Sequence, residues 1–168
     1  MEAFFASWKT VKSENFDNYL KVIGLNDELR SVANVIKPVY TFSQEDDIVV
    51  FKTQTIVSEH EIRFTLGEEF DDKALDGRVC KTVITLDGDK LIQVQKWDSK
   101  EATAVREIQD GKLIMTLTCD EVTAVIICEK VQKWDSKEAT EVREIQDGKL
   151  IMTLTCDEVT AVIICEKV

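Results

Sequence analysis

The C-terminal part of the chain repeats itself with a single change. Residues 95–131 are followed at once by residues 132–168, and 36 of the 37 aligned positions are identical, the one difference being Ala104 against Glu141. Two segments this similar have not diverged, so the duplication is either very recent or engineered. The second copy is therefore an addition to a pattern that is already complete at Val131, and function has to be inferred mainly from residues 1–131.

The length and composition of the chain are those of one domain with an added segment. It has 168 residues, of which 44% are hydrophobic, and this is enough to build a core. The formal net charge of −11 argues against nucleic acid and anionic membranes as partners, because both carry negative charge. No run of about 18 apolar residues occurs, so we expect no stable membrane insertion. The N-terminus lacks the basic and apolar regions of a signal peptide, which predicts a cytoplasmic location.

The cysteines also favour a reducing compartment. There are five of them, an odd number, and no two are spaced as Cys-x-x-Cys. We therefore predict reduced, mostly buried thiols. They are Cys80, Cys119, Cys128, Cys156 and Cys165.

Most of the chain up to Val131 is typical of short strands separated by acidic and glycine-containing turns. Asp-Gly pairs favour hairpins because both residues tolerate a positive φ. They occur at 76–77, 87–88 and 110–111, and Asp46-Asp47 marks a further reversal. The predicted strands are 5–12, 38–44, 48–55, 58–66, 69–74, 78–87, 90–97, 101–109, 112–119 and 122–130.

Two short helices interrupt this pattern. The first is predicted over residues 16–23 and ends at Gly24. The second begins after Asn26, an N-cap residue followed by two acidic residues in the first turn, and it ends before Pro38. The predicted order is one strand, a helix-turn-helix and nine strands, which indicates an all-β, up-and-down antiparallel barrel. A helical solenoid does not fit the 37-residue period, because the repeated unit consists of strands and occurs only twice.

A set of short motifs runs in register along residues 1–131. They are Ala6-Ser7-Trp8-Lys9, Ser13-Glu14-Asn15-Phe16-Asp17-Asn18-Tyr19-Leu20, Leu66-Gly67-Glu68-Glu69-Phe70-Asp71, Asp76-Gly77-Arg78, Thr85-Leu86-Asp87-Gly88-Asp89-Lys90-Leu91, Val94-Gln95-Lys96-Trp97-Asp98 and Val105-Arg106-Glu107-Ile108. Together they resemble the intracellular lipid-binding proteins, and more specifically the fatty acid-binding proteins. Thr10 departs from the first motif region, where an aliphatic residue is usual.

The resemblance implies both a fold and a function. The implied fold is a ten-stranded antiparallel barrel, with two helices between the first two strands forming a lid over a water-filled cavity. The implied function is that of a non-enzymatic carrier, which takes fatty acids, retinoids or similar lipids through the cytosol.

Alternate residues of a closed meander point inward, so the strand register predicts the wall of the cavity. With Arg106 taken as inward, the inward set by the family register is Gln93, Gln95, Trp97, Ala104, Ile108, Met115, Leu117, Cys119, Ile126 and Cys128. This interior is mostly apolar, with a few polar groups in one region. Apolar walls for a tail and a small number of polar contacts for a head group are what a lipid pocket requires.

The head-group site departs from the family pattern. Many relatives hold the ligand carboxylate with two arginines and a tyrosine, and only one of these, Arg106, has a match here. Ile126 and Cys128 occupy the other two positions. Two interpretations remain open: Arg106 holds a carboxylate with the aid of Gln95 and water, or the ligand is neutral or is bound weakly and by shape.

The candidate ligand-binding residues follow from these two arguments. The resemblance implies that residues of the lid helices line the entrance to the cavity, and that Val57 replaces an aromatic residue that often gates this entrance. The predicted ligand-binding set is Arg106, Gln95, Phe16, Tyr19, Ile126, Cys128, Met115 and Leu117, with Val32 also at the entrance.

No pattern of catalytic or cofactor chemistry stands out in the chain. His60 is the only histidine, so it has no second histidine for a metal site. The segment 87–89 matches only part of a calcium loop and is predicted to be a hairpin turn. No glycine-rich phosphate loop is present. We therefore expect no enzymatic activity, no cofactor and no bound metal.

The second copy leaves several architectures open. Adding three strands to ten gives thirteen, and in a simple meander the thirteenth strand would run parallel to the first, so an enlarged antiparallel barrel does not close without losing a segment. Alternatively the first copy closes a ten-stranded barrel, the second copy closes it and displaces residues 90–125, or the spare strands complete a neighbouring molecule by domain swapping. Glu141 takes the inward position of Ala104, which favours the first copy in the barrel.

Two functional hypotheses follow. In the first, the chain is a cytosolic carrier of a long-chain fatty acid or similar hydrophobic ligand. In the second, the added strands enlarge the barrel or drive a domain-swapped homo-oligomer, and ligand binding is reduced or lost.

Overall fold

The structure, a computed structural model, describes residues 1–132, 139–146, 149–156 and 159–165. The chain divides into two units, Met1–Val131 and Gln132–Val168. In the part of the chain that the structure describes, no helix is long and apolar enough to cross a membrane.

The first unit contains ten strands and two helices in the predicted order, which confirms the predicted fold class. After a short 3₁₀ turn at Glu2–Phe4, the elements are β1 (Ser7–Glu14), α1 (Phe16–Val22), α2 (Asp27–Val35), β2 (Val39–Glu45), β3 (Ile48–Gln54), β4 (Glu59–Phe64), β5 (Glu69–Lys73), β6 (Val79–Asp87), β7 (Lys90–Trp97), β8 (Lys100–Gln109), β9 (Lys112–Cys119) and β10 (Val122–Lys130). The 87–89 segment is a hairpin turn, as predicted.

The first strand differs from its prediction at both ends. It starts at Ser7 rather than residue 5 and runs on to Glu14. The preceding 3₁₀ turn buries Phe4, and the indole Nε1 of Trp8 donates a hydrogen bond to the carbonyl oxygen of Phe4 at 2.9 Å. This local contact ends the extended backbone before Ser7, and it could not be read from alternation of polar and apolar residues.

The ten strands form one antiparallel sheet that is nearly closed. Their order is β4-β3-β2-β1-β10-β9-β8-β7-β6-β5, so every neighbouring pair is consecutive in sequence except β1 and β10. That long-range pair runs from Trp8 opposite Lys130 to Glu14 opposite Val125. The edge strands β4 and β5 are not hydrogen-bonded to each other. The barrel therefore has one gap in its backbone hydrogen bonding, between β4 and β5.

Helix α1 ends one residue before its predicted end, and α2 starts after its predicted cap. Gly24 follows α1 with a φ of 98°, a left-handed conformation that glycine adopts without strain. Asn26 caps α2, since its side-chain oxygen accepts a hydrogen bond from the amide of Leu29 at 2.9 Å. The two helices are joined by Asp17, which accepts hydrogen bonds from Asn34 at 2.7 Å and Arg30 at 3.1 Å. These bonds, with that from Asn34 contributing most, lower the pKa of the Asp17 carboxyl.

The core of the first unit has two parts. The larger cluster fills the barrel end around Phe4, Trp8, Phe42, Leu91 and Leu113. The smaller cluster seats α1 on the sheet, because Tyr19, Leu20 and Ile23 pack with Ala102, Cys119 and Ala124. Strands β8, β9 and β10 therefore carry the lid helix as well as part of the barrel wall.

The first copy of the repeat supplies strands β8 to β10 of the ten-stranded sheet. Strand β10 pairs with β9 on one side and with β1 on the other. Within the described residues, the strands of the second copy hydrogen-bond in a sheet of their own.

The second unit is a three-stranded antiparallel sheet in its described part. It consists of β11 (Ala139–Gln146), β12 (Lys149–Cys156) and β13 (Val159–Cys165), in that order. Its register repeats that of the first copy, since Arg143 pairs with Met152 as Arg106 pairs with Met115. Glu141 lies in β11, but its side chain, and with it the predicted inward position, is outside what the structure describes.

We expect the Asn26 cap to determine how firmly the first turn of α2 is held. Asn26→Ala should destabilise that turn by about 1 kcal/mol, because the amide of Leu29 loses its acceptor. Amide hydrogen exchange at Leu29 measures this directly. Asn26→Ser keeps an oxygen acceptor and should exchange close to the unchanged protein; equal acceleration in both variants would contradict the capping role.

Candidate ligand-binding site

The first unit encloses a cavity of about 440 Å³ beneath the two helices. Much of its wall is apolar and comes from strands on several sides of the barrel. The apolar side chains of the wall include Tyr40, Phe51, Ile62, Met115, Leu117 and Ile126. Three aromatic rings are stacked beside it, with Phe51 lying 4.3 Å from Phe42 and 6.1 Å from Tyr40 between ring centroids.

The lid helices contribute a pair of aromatic rings to the cavity. Phe16 and Tyr19 on α1 stack at 6.4 Å between centroids, and both line the cavity, where they were predicted. Burial raises the pKa of the Tyr19 hydroxyl to about 12, so this group is a neutral donor at physiological pH. Helix α1 thus adds a mostly apolar surface with one neutral polar group.

Exposed apolar residues surround one side of the cavity. Leu29 and Val32 lie on α2, Val57 lies in the connection between β3 and β4, and Leu75 follows β5. Each of the four is at least 48% exposed while lining the cavity. They mark the entrance, and Val57 stands there in the position where the family resemblance implied an aromatic residue.

Arg106 is a buried cation in the cavity wall. It lies on β8, is 6% exposed, and its Nη2 donates a hydrogen bond to Gln93 Oε1 at 2.7 Å. Its guanidinium carbon is 4.9 Å from the centroid of the Phe51 ring. Its Nε and Nη1 atoms are buried and have no hydrogen-bond partner among the described residues.

The electrostatic state of Arg106 follows from this setting. Burial lowers the pKa of its guanidinium to about 10, which still leaves the group charged at physiological pH. A buried cation without a counter-ion is costly unless an anion or water reaches it. Two unused donors on a charged group therefore point to an anionic partner at this place.

Gln95 contacts Asp72, whereas the sequence interpretation expected it to assist Arg106. The side chain that touches Arg106 is Gln93, whereas Gln95 Nε2 lies 3.5 Å from Asp72 Oδ2. Gln93 and Gln95 are two residues apart on β7 and line the same face. The family register predicted that face, but it did not predict which of the two amides contacts Arg106.

The sequence did not single out Asp72, and it led us to consider His60 only as a possible metal ligand. The Asp72 carboxylate, with its side chain 4% exposed, accepts a hydrogen bond from His60 Nε2 at 3.0 Å. His60 lies on β4 and Asp72 on β5, so this contact bridges the gap in the barrel. Their proximity depends on closure of the barrel, and nothing in the local sequence signals it.

A second arginine lies near the entrance in a different setting. Arg78 Nε donates to Asp76 Oδ2 at 2.7 Å, and its guanidinium lies 4.3 Å from the centroid of the Trp97 ring. The Asp76 carboxylate neutralises this cation, so Arg78 is a paired charge. Arg106 has no such carboxylate partner in the described part of the chain.

Ile126 and Cys128 have different positions although both were predicted to bind ligand. Ile126 lines the cavity. Cys128 is fully buried in the core instead, with Sγ 3.8 Å from the hydroxyl of Thr10, which also donates to the carbonyl oxygen of Pro38 at 3.0 Å. Thr10 and Cys128, two departures from the family pattern, thus contact each other. Burial raises the pKa of the Cys128 thiol to about 11, so this contact is between neutral groups.

The two other predicted ligand-binding residues lie on β9. Met115 and Leu117 line the cavity, as Phe16 and Tyr19 do. Cys80, Cys119 and Cys128 are buried free thiols, whereas the side chains of Cys156 and Cys165 lie outside the described residues. Among the described residues, no group of three His, Cys, Asp or Glu side chains is placed to hold a metal ion.

Comparison with known proteins identifies similar chains. Residues 7–131 match the Lipocalin / cytosolic fatty-acid binding protein family. A fatty acid-binding protein from brain tissue of Drosophila melanogaster is 42% identical, with a TM-score of 0.71, and the match covers 75% of this chain and 98% of that one. The fluorescent protein UnaG is 42% identical, with a TM-score of 0.74, over 77% of this chain and 98% of that one. A Schistosoma mansoni fatty acid-binding protein in complex with arachidonic acid is 30% identical, with a TM-score of 0.76, over 79% of this chain and 98% of that one.

We expect Arg106 to lower the stability of the protein when no ligand is bound. Arg106→Met keeps much of the side-chain volume and removes the buried charge, so the free energy of unfolding should rise by about 1–3 kcal/mol. Urea denaturation of the delipidated protein measures this change.

Arg63→Met is the matched control for this measurement. Arg63 is 46% exposed and pairs with Glu45 on the surface, so its replacement should change the free energy of unfolding by no more than about 0.5 kcal/mol. A loss of stability in Arg106→Met beyond that of the control would contradict the view of Arg106 as an uncompensated charge.

Proposed function

Because the chain belongs to the lipocalin / cytosolic fatty-acid binding protein family, we propose that it is a non-enzymatic carrier that binds a long-chain fatty acid or a similar lipid inside its barrel. We propose an acid as the ligand because Arg106 is a buried guanidinium with two unused donors in an apolar cavity. The proposal places the carrier in the cytoplasm, in agreement with the free thiols of Cys80, Cys119 and Cys128 in the described part of the chain.

The size and lining of the cavity support a lipid ligand. A volume of about 440 Å³ is within the usual range of small-molecule sites, and the wall is largely apolar. Burial of an alkyl chain contributes about 0.8 kcal/mol per CH₂ group, so a tail of 16 carbons contributes on the order of 12 kcal/mol before the costs of association. These costs leave an affinity of roughly micromolar to nanomolar.

In this proposal Arg106 binds the head group of the ligand. A carboxylate placed against its Nε and Nη1 atoms would receive the hydrogen bonds that these donors lack and would supply the missing counter-charge. The alternative of a neutral ligand leaves the cation uncompensated, which is why we favour an acid. Gln93 holds the guanidinium from the opposite side and is therefore a positioning residue.

We expect Arg106→Met to weaken binding of an acid much more than binding of the matching alcohol. Loss of a charged hydrogen-bonded contact costs about 1.5–3 kcal/mol, so the affinity for hexadecanoic acid should fall by roughly tenfold or more. Hexadecanol should change by less than about threefold, because its tail contacts are retained. Displacement of a neutral polarity-sensitive dye measures both ligands on the same variant.

Two comparisons make this test specific. Arg63→Met, on the outer surface, should leave both affinities unchanged. Equal losses of affinity for the acid and the alcohol in Arg106→Met would show that Arg106 does not bind the ligand carboxylate. Lipid binding itself would not be contradicted.

A second function, assembly through the added strands, is favoured by the chemistry of the second unit. Within its described residues, β11 and β13 each have a hydrogen-bonded neighbour on one side only. Ile145, Val162, Ile163 and Ile164 on these strands are at least 43% exposed. Apolar edge strands favour pairing with further strands, so we propose that the second copy joins chains into a homo-oligomer by pairing with strands of a second chain.

We expect removal of residues 132–168 to abolish this assembly and leave the barrel folded. All ten strands of the barrel sheet, with all their hydrogen-bonded neighbours, lie within residues 1–131. Native mass spectrometry should then show a monomer for the truncated chain and a dimer or larger species for the full chain. The truncated chain should bind hexadecanoic acid at least as tightly.

The opposite results are equally informative. A monomeric full-length chain would exclude the assembly role. A truncated chain that fails to unfold cooperatively in urea would show that the barrel depends on the second copy.

A further inference from the structure

The cavity contains a second buried charge, which the carrier role of Arg106 leaves unexplained. Asp72 lines the cavity from β5, and its side chain is only 4% exposed. A buried carboxylate is costly unless its oxygens are hydrogen-bonded, and a hydrocarbon tail laid over it offers no donor. The contact with His60 uses one oxygen of this carboxylate to bridge β4 and β5, whereas an unsubstituted alkyl chain makes no use of the other oxygen.

The hydrogen bonds that Asp72 makes leave room for a further donor. Its Oδ1 accepts a hydrogen bond from His60 Nε2 at 3.0 Å. Among the described residues, its Oδ2 contacts only Gln95 Nε2, at 3.5 Å, the limit of a hydrogen bond. An ionised carboxylate accepts about four hydrogen bonds. Oδ2 therefore keeps capacity for another donor.

A neighbouring group has unused capacity as well. Thr82 on β6 is fully buried, and its hydroxyl has no partner among the described residues. It pairs in register with Gln95 on β7 and with Phe70 on β5. The unfilled hydrogen-bonding capacity of Asp72 and Thr82 thus lies in one region of the barrel, next to Gln95.

This region is separate from Arg106 but close to it along the same wall. Gln93 contacts Arg106 and Gln95 contacts Asp72. Two residues along a strand span about 6.6–6.8 Å. Gln93, which contacts the cation, and Gln95, which contacts the carboxylate, are therefore separated by roughly this distance. A single extended ligand is long enough to reach both.

The charge of each group decides which part of a ligand it accepts. A ligand carboxylate is attracted by Arg106 and repelled by Asp72, which orients the head group toward Arg106. Asp72 accepts hydrogen bonds and, when ionised, donates none. A ligand group at Asp72 must therefore be a donor, and a hydroxyl is a small neutral donor that an alkyl chain can carry.

We propose that Asp72, with Gln95 and His60, forms a second polar subsite that accepts a hydrogen bond from a hydroxyl group on the chain of a bound acid. The preferred ligands are then hydroxylated long-chain carboxylic acids. This inference rests on the proposed carrier function, and it adds the class of ligand. A site built around a buried acceptor discriminates strongly against an analogue that lacks the donor, because that analogue leaves the acceptor unpaired.

The test compares octadecanoic acid with hydroxyoctadecanoic acids carrying the hydroxyl on carbon six, nine or twelve, using the delipidated full chain. These isomers sample positions along the tail. At least one isomer should bind roughly tenfold or more tightly than octadecanoic acid, as expected for a hydrogen bond to a charged acceptor. Asp72→Asn replaces one acceptor oxygen by a donor and should reduce that ratio to within about threefold of one.

Asp71→Asn is the matched control. Asp71 is the adjacent residue, its side chain is 69% exposed, and it pairs with Lys81 at 2.6 Å on the outer surface. This variant removes the same charge without altering the cavity, so it should keep the full preference for the hydroxylated isomer. Equal preferences in Asp72→Asn and Asp71→Asn would overturn the proposal.

The outcomes separate this inference from the carrier function. Binding of octadecanoic acid with no gain from any hydroxyl position overturns the subsite alone. Failure of all four acids to bind overturns the carrier function and the subsite together. The comparison of ligands on the unchanged chain needs no variant, so it holds even where Asp72→Asn proves too unstable to measure.

Discussion

The pairing of β1 with β10 is the constraint on which the rest of the structure depends. It joins the start of the first unit to its end, and without it the strands would form two separate sheets, β1 to β4 and β5 to β10, with no enclosed space. Trp8 and Lys130 pair across more than a hundred residues of chain, so this contact carries a large loop-closure entropy. Non-local contacts of this kind form slowly during folding. Burial of Arg106, the seat of α1 on β8 to β10 and the cavity itself all follow from this closure.

The gap between β4 and β5 is held by side chains where backbone hydrogen bonds are missing. His60 reaches Asp72 across it at 3.0 Å, and the rings of Phe64 and Phe70 stack across it at 5.9 Å. One of these contacts is polar and faces the cavity, and the other is apolar. The same carboxylate therefore ties the barrel edges together and offers an acceptor to the interior, which couples closure of the barrel to the chemistry of its cavity.

Much of the fold could be predicted because it is encoded locally. Period-two alternation and Asp-Gly turns predicted the strands, and the cap at Asn26 predicted the start of α2. The inward position of Arg106 came from the family resemblance, and alternation extended it along the same strand to Ala104 and Ile108. The same reasoning did not distinguish Gln93 from Gln95 as the partner of Arg106, because the two share a face of β7 and differ only in depth. It also placed Cys128 at the ligand, whereas packing against Thr10 holds it in the core.

The sequence by itself determined the succession of strands and helices, because turn and cap signals depend on residues close together in the chain. The family resemblance added the inward residues of β7 to β10 and the single arginine that matches the head-group site. Only the tertiary structure decided that β8 to β10 come from the first copy of the repeat, because two near-identical segments present the same pairing preferences. It also decided that His60 meets Asp72 and that Thr10 meets Cys128. These pairs lie on strands that closure of the barrel brings together, and their proximity depends on the geometry of the whole sheet.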